Sequence, residues 1–420
     1  MSPYRTVTIA TAALATAAQL ARADDARPLR LADVVAEARE HNPQLAAARA
    51  RAQAAAAVPP RVRAYDDPEI SWEAWNAPDT FAVGQADNNI IKLSQRVPFP
   101  GKRTLAGTVA EREADMAARD ADGAALDVVT AVKRAYWGLW LAHATVALDT
   151  RDKELAARYA KIAEDKYAVG TVAQSDVLRA QVELVHMANR LITDRLAVDT
   201  ARAELNALLS RPADDPLGAP EEPPPPRLEA TADALVVRAL RERPEVKAQE
   251  AAVAREEAGV RLAGLDYLPD FEFAVERFVN HEGRDGVGGV AALTIPLAYK
   301  GKYDAARSEA RARLAAAQAE LRRTQDQVRR EVQEAWLRVR AARVTHDLLA
   351  STHVPQAEQA AKASEIGYET GKVDFLSLID SLRALQEIHL EHVRASADFE
   401  NAYADLERAV GSDLPRSGGE

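Results

Sequence analysis

Tyr167-Ala168-Val169-Gly170-Thr171-Val172 and Tyr368-Glu369-Thr370-Gly371-Lys372-Val373 are two versions of one segment, set 201 residues apart. Each glycine closes a long stretch poor in helix breakers, where a left-handed C-terminal residue is expected. Thr104 to Val169 contains no proline, and Lys302 to Ile366 contains only Pro355. The same offset relates Asn42-Pro43-Gln44-Leu45 to Arg243-Pro244-Glu245-Val246, and Ala201–Leu205 to Ala402–Leu406. With a slight drift, Val97-Pro98 and Gly101-Lys102 reappear as Ile295-Pro296 and Gly301-Lys302. Units of this length are too long for a solenoid repeat, so the chain reads as one duplicated half-molecule.

Outward from these turns, each half follows a plan of helix, strand, strand, helix, helix. Pro43 and Pro244 suit the first position of a helix, where a missing N–H is harmless. A helix from Thr104 to Val169 would be about 100 Å long. Val129, Val132, Tyr136 and Leu139 keep spacings of three and four, as do Val328, Val332, Trp336 and Val339. Leu378, Leu382, Leu385 and Ile388 repeat it on a returning helix, so coiled helices are predicted. Alanine, about a fifth of the chain, lets such helices approach closely.

The pattern divides the chain into a signal peptide at 1–23, a first repeat at 24–210, a connector at 211–227, a second repeat at 228–411 and a tail at 412–420. The signal reading rests on Arg5, the short apolar run Val7 to Ala18, and Ala21-Arg22-Ala23 before Asp24. The run is shorter than the ~20 residues a membrane helix needs. The connector carries Pro212, Pro216, Pro220 and Pro223 to Pro226, which favour an extended segment over a helix.

Zero cysteines exclude disulfides, thiolate metal sites and cysteine nucleophiles. They also exclude acylation of a cysteine after the signal. A net charge of −10 with 5% aromatics argues against nucleic acid as a partner.

Alternation of period two predicts strands over Glu69 to Trp75, Asn89 to Val97, Phe271 to Val279 and Gly289 to Leu297. Ile70, Trp72 and Ala74 alternate with Glu69, Ser71 and Glu73. Ile91 and Leu93 alternate with Lys92, Ser94 and Arg96, and Phe271, Phe273 and Val275 with Glu272, Ala274 and Glu276. One face suits lipid and the other a wet lumen, as in an outer-membrane barrel. Four strands are fewer than the roughly eight a closed barrel needs, so several chains would have to pool them. A soluble sheet packed on the helices is the other reading.

Leu31-Ala32-Asp33-Val34-Val35-Ala36-Glu37-Ala38 with Asn42-Pro43-Gln44-Leu45, the junction Gln95-Arg96-Val97-Pro98-Phe99-Pro100-Gly101-Lys102-Arg103, its counterpart Leu293-Thr294-Ile295-Pro296-Leu297, and the two glycine turns resemble the TolC-like outer-membrane efflux family. The junction resembles the CzcC-type heavy-metal branch. The resemblance implies a mainly α fold with a membrane β-barrel contribution: a homotrimer pooling its strands into a 12-stranded barrel in outer-membrane lipid, above a periplasmic helical tunnel. Its partners would be a periplasmic adaptor and an inner-membrane pump of the RND class, with heavy-metal cations (cobalt, zinc, cadmium or copper) as cargo. The resemblance places adaptor contacts at the tip, at Gly170, Val172, Gly371 and Val373. It places a gate of acidic residues just beyond the second turn. Asp380 matches that position, Ser377 stands where some relatives carry a second acid, and Asp176 is the first-half counterpart. Glu69, Glu73, Lys92, Arg96, Glu272 and Glu276 become the charges of the barrel lumen.

No resident cofactor or metal is expected. His389 and His392 stand three apart on a helix but lack the HExxH pattern. No paired-carboxylate or Ser/His/Asp constellation rises above the helical charge pattern, so an enzyme is not expected. A conduit for drugs or for type I secretion, and a soluble periplasmic coiled-coil scaffold, are the competing functions.

Overall fold

The computed structural model describes residues 28–77, 86–281 and 283–416; the signal segment 1–23 lies outside them. Two compact units emerge. One is built from residues up to Ala46, Ala124–Arg243 and from Val328 on; the other is Ala47–Gly123 with Pro244–Gln327. Each draws on both sequence halves.

The helical unit begins with α1 (Leu31–His41) and the first residues of α2 (Pro43–Ala56), which continues as part of the other unit from Ala47. The Asn42-Pro43 pair explains the joint. Asn42 Oδ1 accepts from the Gln44 and Leu45 amides at 2.9 and 3.3 Å, while Pro43 occupies the position with no amide to satisfy. Asn42 Nδ2 donates to the Leu208 carbonyl at 2.9 Å, at the end of α5 (Gln174–Leu208).

The first long helix is α4 (Lys102–Ala168), uninterrupted by Gly107, Gly123 or Gly138. In this unit it buries Val128, Val132, Tyr136, Trp137 and Leu139 at helical spacing. The second half supplies α6 (Ala232–Glu242), α8 (Asp304–Leu348), α9 (Val354–Glu369) and α10 (Phe375–Val410). Pro355 does not end the second long helix. It has no N–H to offer the carbonyl four residues back, and the ladder widens to a π-turn over Leu349–His353, closed by Val354 N–H to Leu349 O.

Buried charge is concentrated at the far end of α10. Lys133 Nζ bonds Glu407 Oε2 at 2.7 Å and Asp413 Oδ1 at 2.8 Å, with the Lys133 and Glu407 side chains only 10% and 6% exposed. The connector is tied to this unit through its backbone. Leu29 N–H donates to Ala219 O, Glu221 N–H to Leu29 O and Arg227 N–H to Pro415 O. Buried Asn206 adds bonds to Ala213 O and Asp215 O.

The other unit contains α3 (Val58–Arg63), α7 (Pro244–Leu265) and one antiparallel sheet in the order β1-β2-β3-β4. The strands are β1 (Glu69–Trp75), β2 (Asn88–Val97), β3 (Phe271–Asn280) and β4 (Gly286–Leu293). The fourth strand lies earlier than the expected Gly289 to Leu297. Phe271, the first residue of β3, pairs with Leu293, and beyond that pair the Thr294 amide bonds Asp270 O at 2.9 Å before the strand ends. Lys102 and Asp270 fasten the junction below the sheet at 2.9 Å, and Asp270 also accepts the Phe99 amide at 2.8 Å.

Candidate functional site: the sheet faces, the hairpin turns and a polar groove

Register sorts the strand residues into two faces. Ile70 lies opposite Leu93, and Leu93 opposite Val275; Trp72 lies opposite Ile91. These side chains are exposed, Ile70 by 74% and Val275 by 59%, as are Phe273 and Leu293. A contiguous exposed apolar face of this extent calls for an apolar medium or partner. On the other face stand all six charged candidates, Glu69, Glu73, Lys92, Arg96, Glu272 and Glu276. Lys92 pairs in register with Glu276, Arg96 with Glu272, and Lys92 Nζ reaches Glu272 Oε1 at 3.2 Å. Ile90 and Phe278 interrupt the charges, paired with each other. Gly286 and Gly288 make room for Phe278: a Cβ on Gly288 would sit 2.9 Å from its ring. Both outer strands, β1 and β4, have one unpaired edge.

The two turns lie side by side in the helical unit. Gly170 and Gly371 have φ of +76° and +74°, the left-handed conformation that lets the chain reverse without a Cβ clash. Thr171 N–H returns to Lys166 O at 2.9 Å, and Lys372 N–H to Gly367 O at 2.7 Å. Lys166 Nζ crosses from the first hairpin to the second, donating to Tyr368 O at 2.6 Å and Glu369 O at 3.3 Å. Its ammonium also stands over the Tyr368 ring. Val172 and Val373 are both half-buried. Val373 packs so closely on Gly367 that a Cβ there would lie 2.4 Å from it.

The gate candidates occupy different environments. Ser377 gives its amide to Asp374 Oδ1 at 2.8 Å, making Asp374 the N-cap of α10. Bonds from Ser377 hold the Asp374 carboxyl below its ordinary value. Asp380 is exposed, one turn from Arg383 at 4.0 Å. Arg383 is committed elsewhere: its guanidinium grips Glu183 with both Nε and Nη2. Asp176 is half-buried near Tyr368, whose hydroxyl is raised by burial and then by that carboxylate.

Beyond the tip, α5 and α10 border a groove of about 810 Å³. Glu183, Arg190, Asp194, Arg383, Glu387 and Arg394 line it. At its base Asp149 is fully buried, accepting from Gln386 Nε2 at 2.9 Å and paired with Arg190 at 2.9 Å. Burial, and then a hydrogen bond and charge from Asp149, push Asp194 up to about 6. Asp152 is raised by burial first and then by the charge of Asp149. This carboxylate pair escaped sequence reading because Asp149 and Asp194 lie on separate helices, with no motif joining them. His392, three residues from His389 on α10, faces His346, with ring centroids 5.3 Å apart. His389 pairs with Glu358 at 3.5 Å. Among the described residues no group of three or more His, Asp or Glu is arranged to hold a metal ion. Nor, among them, is any helix long and apolar enough to cross a membrane.

A duplicated chain with long hairpin helices and a four-stranded sheet whose apolar face is exposed has the features of an outer-membrane channel. The outer membrane efflux protein family model matches residues 34–211 and again 235–412, and the chain belongs to that family. The matched segments begin and end 201 residues apart, the interval of the sequence repeats. The chain is 25% identical over 321 residues to cobalt-zinc-cadmium resistance protein CzcC of Cupriavidus metallidurans, covering 75% of each chain. It is 26% identical over 345 residues to protein CyaE of Bordetella pertussis, covering 77% of this chain and 72% of that one. Its fold matches the outer membrane protein VceC of Vibrio cholerae with a TM-score of 0.76 at 20% identity, over 92% of this chain and 97% of that one. The match to CusC has a TM-score of 0.78 at 14% identity, over 91% and 92%. The protein is an outer-membrane efflux protein, and not an enzyme.

Proposed function

We propose that three copies of this chain pool their sheets into a twelve-stranded barrel that conducts heavy-metal cations out of the periplasm. The observation that carries the reading is the sheet itself: four strands, two open edges, one exposed apolar face and one charged face. An open edge in lipid leaves backbone groups unpaired, so copies must close the ring. Two copies would give eight strands, a barrel whose interior side chains fill. Three leave a bore, lined by Glu69, Glu73, Lys92, Arg96, Glu272 and Glu276.

The cargo is assigned on the likeness to CzcC, whose name specifies cobalt, zinc and cadmium. Four of the six bore charges are carboxylates, which suits cations. The tip turns at Gly170 and Gly371, with Val172 and Val373, are the surface for a periplasmic adaptor coupled to an RND pump. Asp380 forms the narrowest charged ring, with Asp176 and Ser377 beside it. Arg383, 4.0 Å from Asp380, makes its hydrogen bonds to Glu183 instead.

The test has two arms. Light scattering of detergent-extracted protein should give three chains per particle. Deleting the gene should lower tolerance to cobalt, zinc, cadmium or copper more than tolerance to a panel of organic toxicants. Normal metal tolerance with heightened drug sensitivity would overturn the cargo assignment and favour drug efflux.

A further inference from the structure

The two copies of the junction between sheet and long helix have diverged. In the first half, Val97-Pro98 reaches Gly101-Lys102 through Phe99-Pro100; in the second, Ile295-Pro296 reaches Gly301-Lys302 through Leu297-Ala298-Tyr299-Lys300. The first copy is used internally. Lys102, its side chain 14% exposed, pairs with Asp270, and Phe99 stacks on Phe271 at 6.4 Å. The second copy faces outward: Ile295, Leu297 and Tyr299 are 62%, 75% and 49% exposed, and Lys300 and Lys302 are exposed with them. Among the described residues neither lysine pairs with a carboxylate; Lys302 Nζ stands 5.2 Å from the centre of the Tyr303 ring. The extra residues are absorbed as a π-turn over Tyr299–Tyr303, closed by the Asp304 amide on Tyr299 O. Tyr267 stacks on Tyr299 at 6.1 Å and lies 5.7 Å from Tyr303, with its hydroxyl on Asp304. Arg307 and Arg311, in the first turns of α8, act on the same hydroxyl.

The depth of this turn follows from the strand before it. On β4 the exposed apolar face runs through Val287 and Leu293, and it continues past the last pair to Ile295 and Leu297, with Pro296 buried between them. Val287 to Leu297 is ten steps along the chain. At about 3.3 Å per step and a tilt of about 40° they rise about 25 Å, the height of the apolar band of an outer-membrane barrel. The hydrocarbon therefore ends at Leu297. Tyr299, Lys300 and Lys302 fall at headgroup level, where tyrosine and basic side chains concentrate.

We propose that the second junction binds an anionic phospholipid, with Lys300 and Lys302 on its phosphate, Tyr299 bordering the headgroup, and Ile295 and Leu297 along an acyl chain. Two ammonium groups without a carboxylate stand where the dielectric falls, and a phosphate anion supplies the missing charge through strong hydrogen bonds. Asp304, beside the turn, is taken by the Tyr267 hydroxyl. The site rests on the apolar face of the sheet lying in lipid, and is independent of the number of copies that close the ring.

The test is native mass spectrometry of the protein extracted in an uncharged detergent and titrated with dioleoyl-phosphatidylglycerol or dioleoyl-phosphatidylethanolamine. Phosphatidylglycerol should be retained at concentrations where phosphatidylethanolamine is not, saturating at one lipid per chain. Lys300→Gln/Lys302→Gln should weaken its binding by roughly 10- to 30-fold and leave phosphatidylethanolamine unchanged. Lys300→Arg/Lys302→Arg should bind as wild type. Lys161→Gln/Lys362→Gln, which removes the same charge from the helical unit, should have no effect. Equal retention of the two lipids by the wild type, or undiminished phosphatidylglycerol binding by the Gln variant, would overturn the site and leave the barrel standing. Displacement of phosphatidylglycerol by inorganic phosphate would overturn the lipid assignment in favour of a free anion. If the Gln variant does not assemble, the wild-type comparison of the two lipids decides. Single chains by light scattering that still retain phosphatidylglycerol would overturn the three-copy ring and uphold the site.

Discussion

Lys166 of the first hairpin donates its ammonium to the Tyr368 carbonyl of the second at 2.6 Å, and so ties together two turns that lie about 200 residues apart in the chain. A charged donor on a helix-terminal carbonyl contributes about 1.5–3 kcal/mol. Lys166→Met should therefore speed hydrogen exchange of the Thr370 to Val373 amides by roughly 10- to 100-fold. Protection equal to wild type would show that Tyr368 and Phe375 packing holds the turns unaided.

Asp380 is exposed 4.0 Å from Arg383, whose guanidinium bonds Glu183 through Nε and Nη2. Asp380→Ala should raise single-channel conductance and weaken block by divalent cations, with a smaller change at high salt, where screening already mutes the ring. Unchanged conductance and unchanged block would remove Asp380 from the gate.

Asp194 is raised to about 6, above the ordinary aspartate value of about 3.9. A group whose folded pKa is raised contributes stability that is complete below the unfolded value and is lost as pH climbs through the folded one. The Asp194 contribution is thus lost between about pH 4 and pH 6. Asp194→Asn should flatten the fall of Tm across that window; a wild-type slope retained in the variant would assign the titration to another group, Asp152 foremost.

Lys133 sits between Glu407 and Asp413 with its side chain 10% exposed. Lys133→Met leaves the buried Glu407 carboxylate without its cation, at a cost of about 3–5 kcal/mol. Denaturant titration of the extracted protein measures the loss, and a shift below about 1 kcal/mol would mean that the Leu414 amide, 3.0 Å from Glu407 Oε1, is sufficient compensation.

Gly288 lies under the Phe278 ring. Gly288→Val should destabilise the β3–β4 hairpin by about 1–3 kcal/mol through overpacking, and Phe278→Ala in the same chain should restore part of it. The yield of heat-resistant assembled protein reports both; no rescue by the double variant would place the clash elsewhere.

Much of this molecule is legible in local pattern. Glu69–Trp75 could be read residue for residue because its alternation holds through Ala74, and Gly170 and Gly371 because each closes a long run poor in helix breakers. Strand β4 was legible only roughly. Its extent depends on where β3 begins, at Phe271, a pairing that neither segment encodes alone. The groove was not legible at all. Asp149, Asp194 and Gln386 come from three helices, and each resembles a solvated helix-face residue until packing removes the water. Phe278 likewise breaks the charged face of its strand, and only pairing with Gly286 and packing on Gly288 explain why it is tolerated there.

The unpaired edges of β1 and β4 carry a genetic consequence. In the proposed three-copy ring each subunit's edge bonds are completed by its neighbours, so one defective copy would spoil the whole ring. In a cell making equal amounts of wild-type and edge-defective chain, about one in eight three-copy rings would be free of the defect. Edge lesions such as proline in β1 should therefore act dominantly, and their severity should track gene dosage.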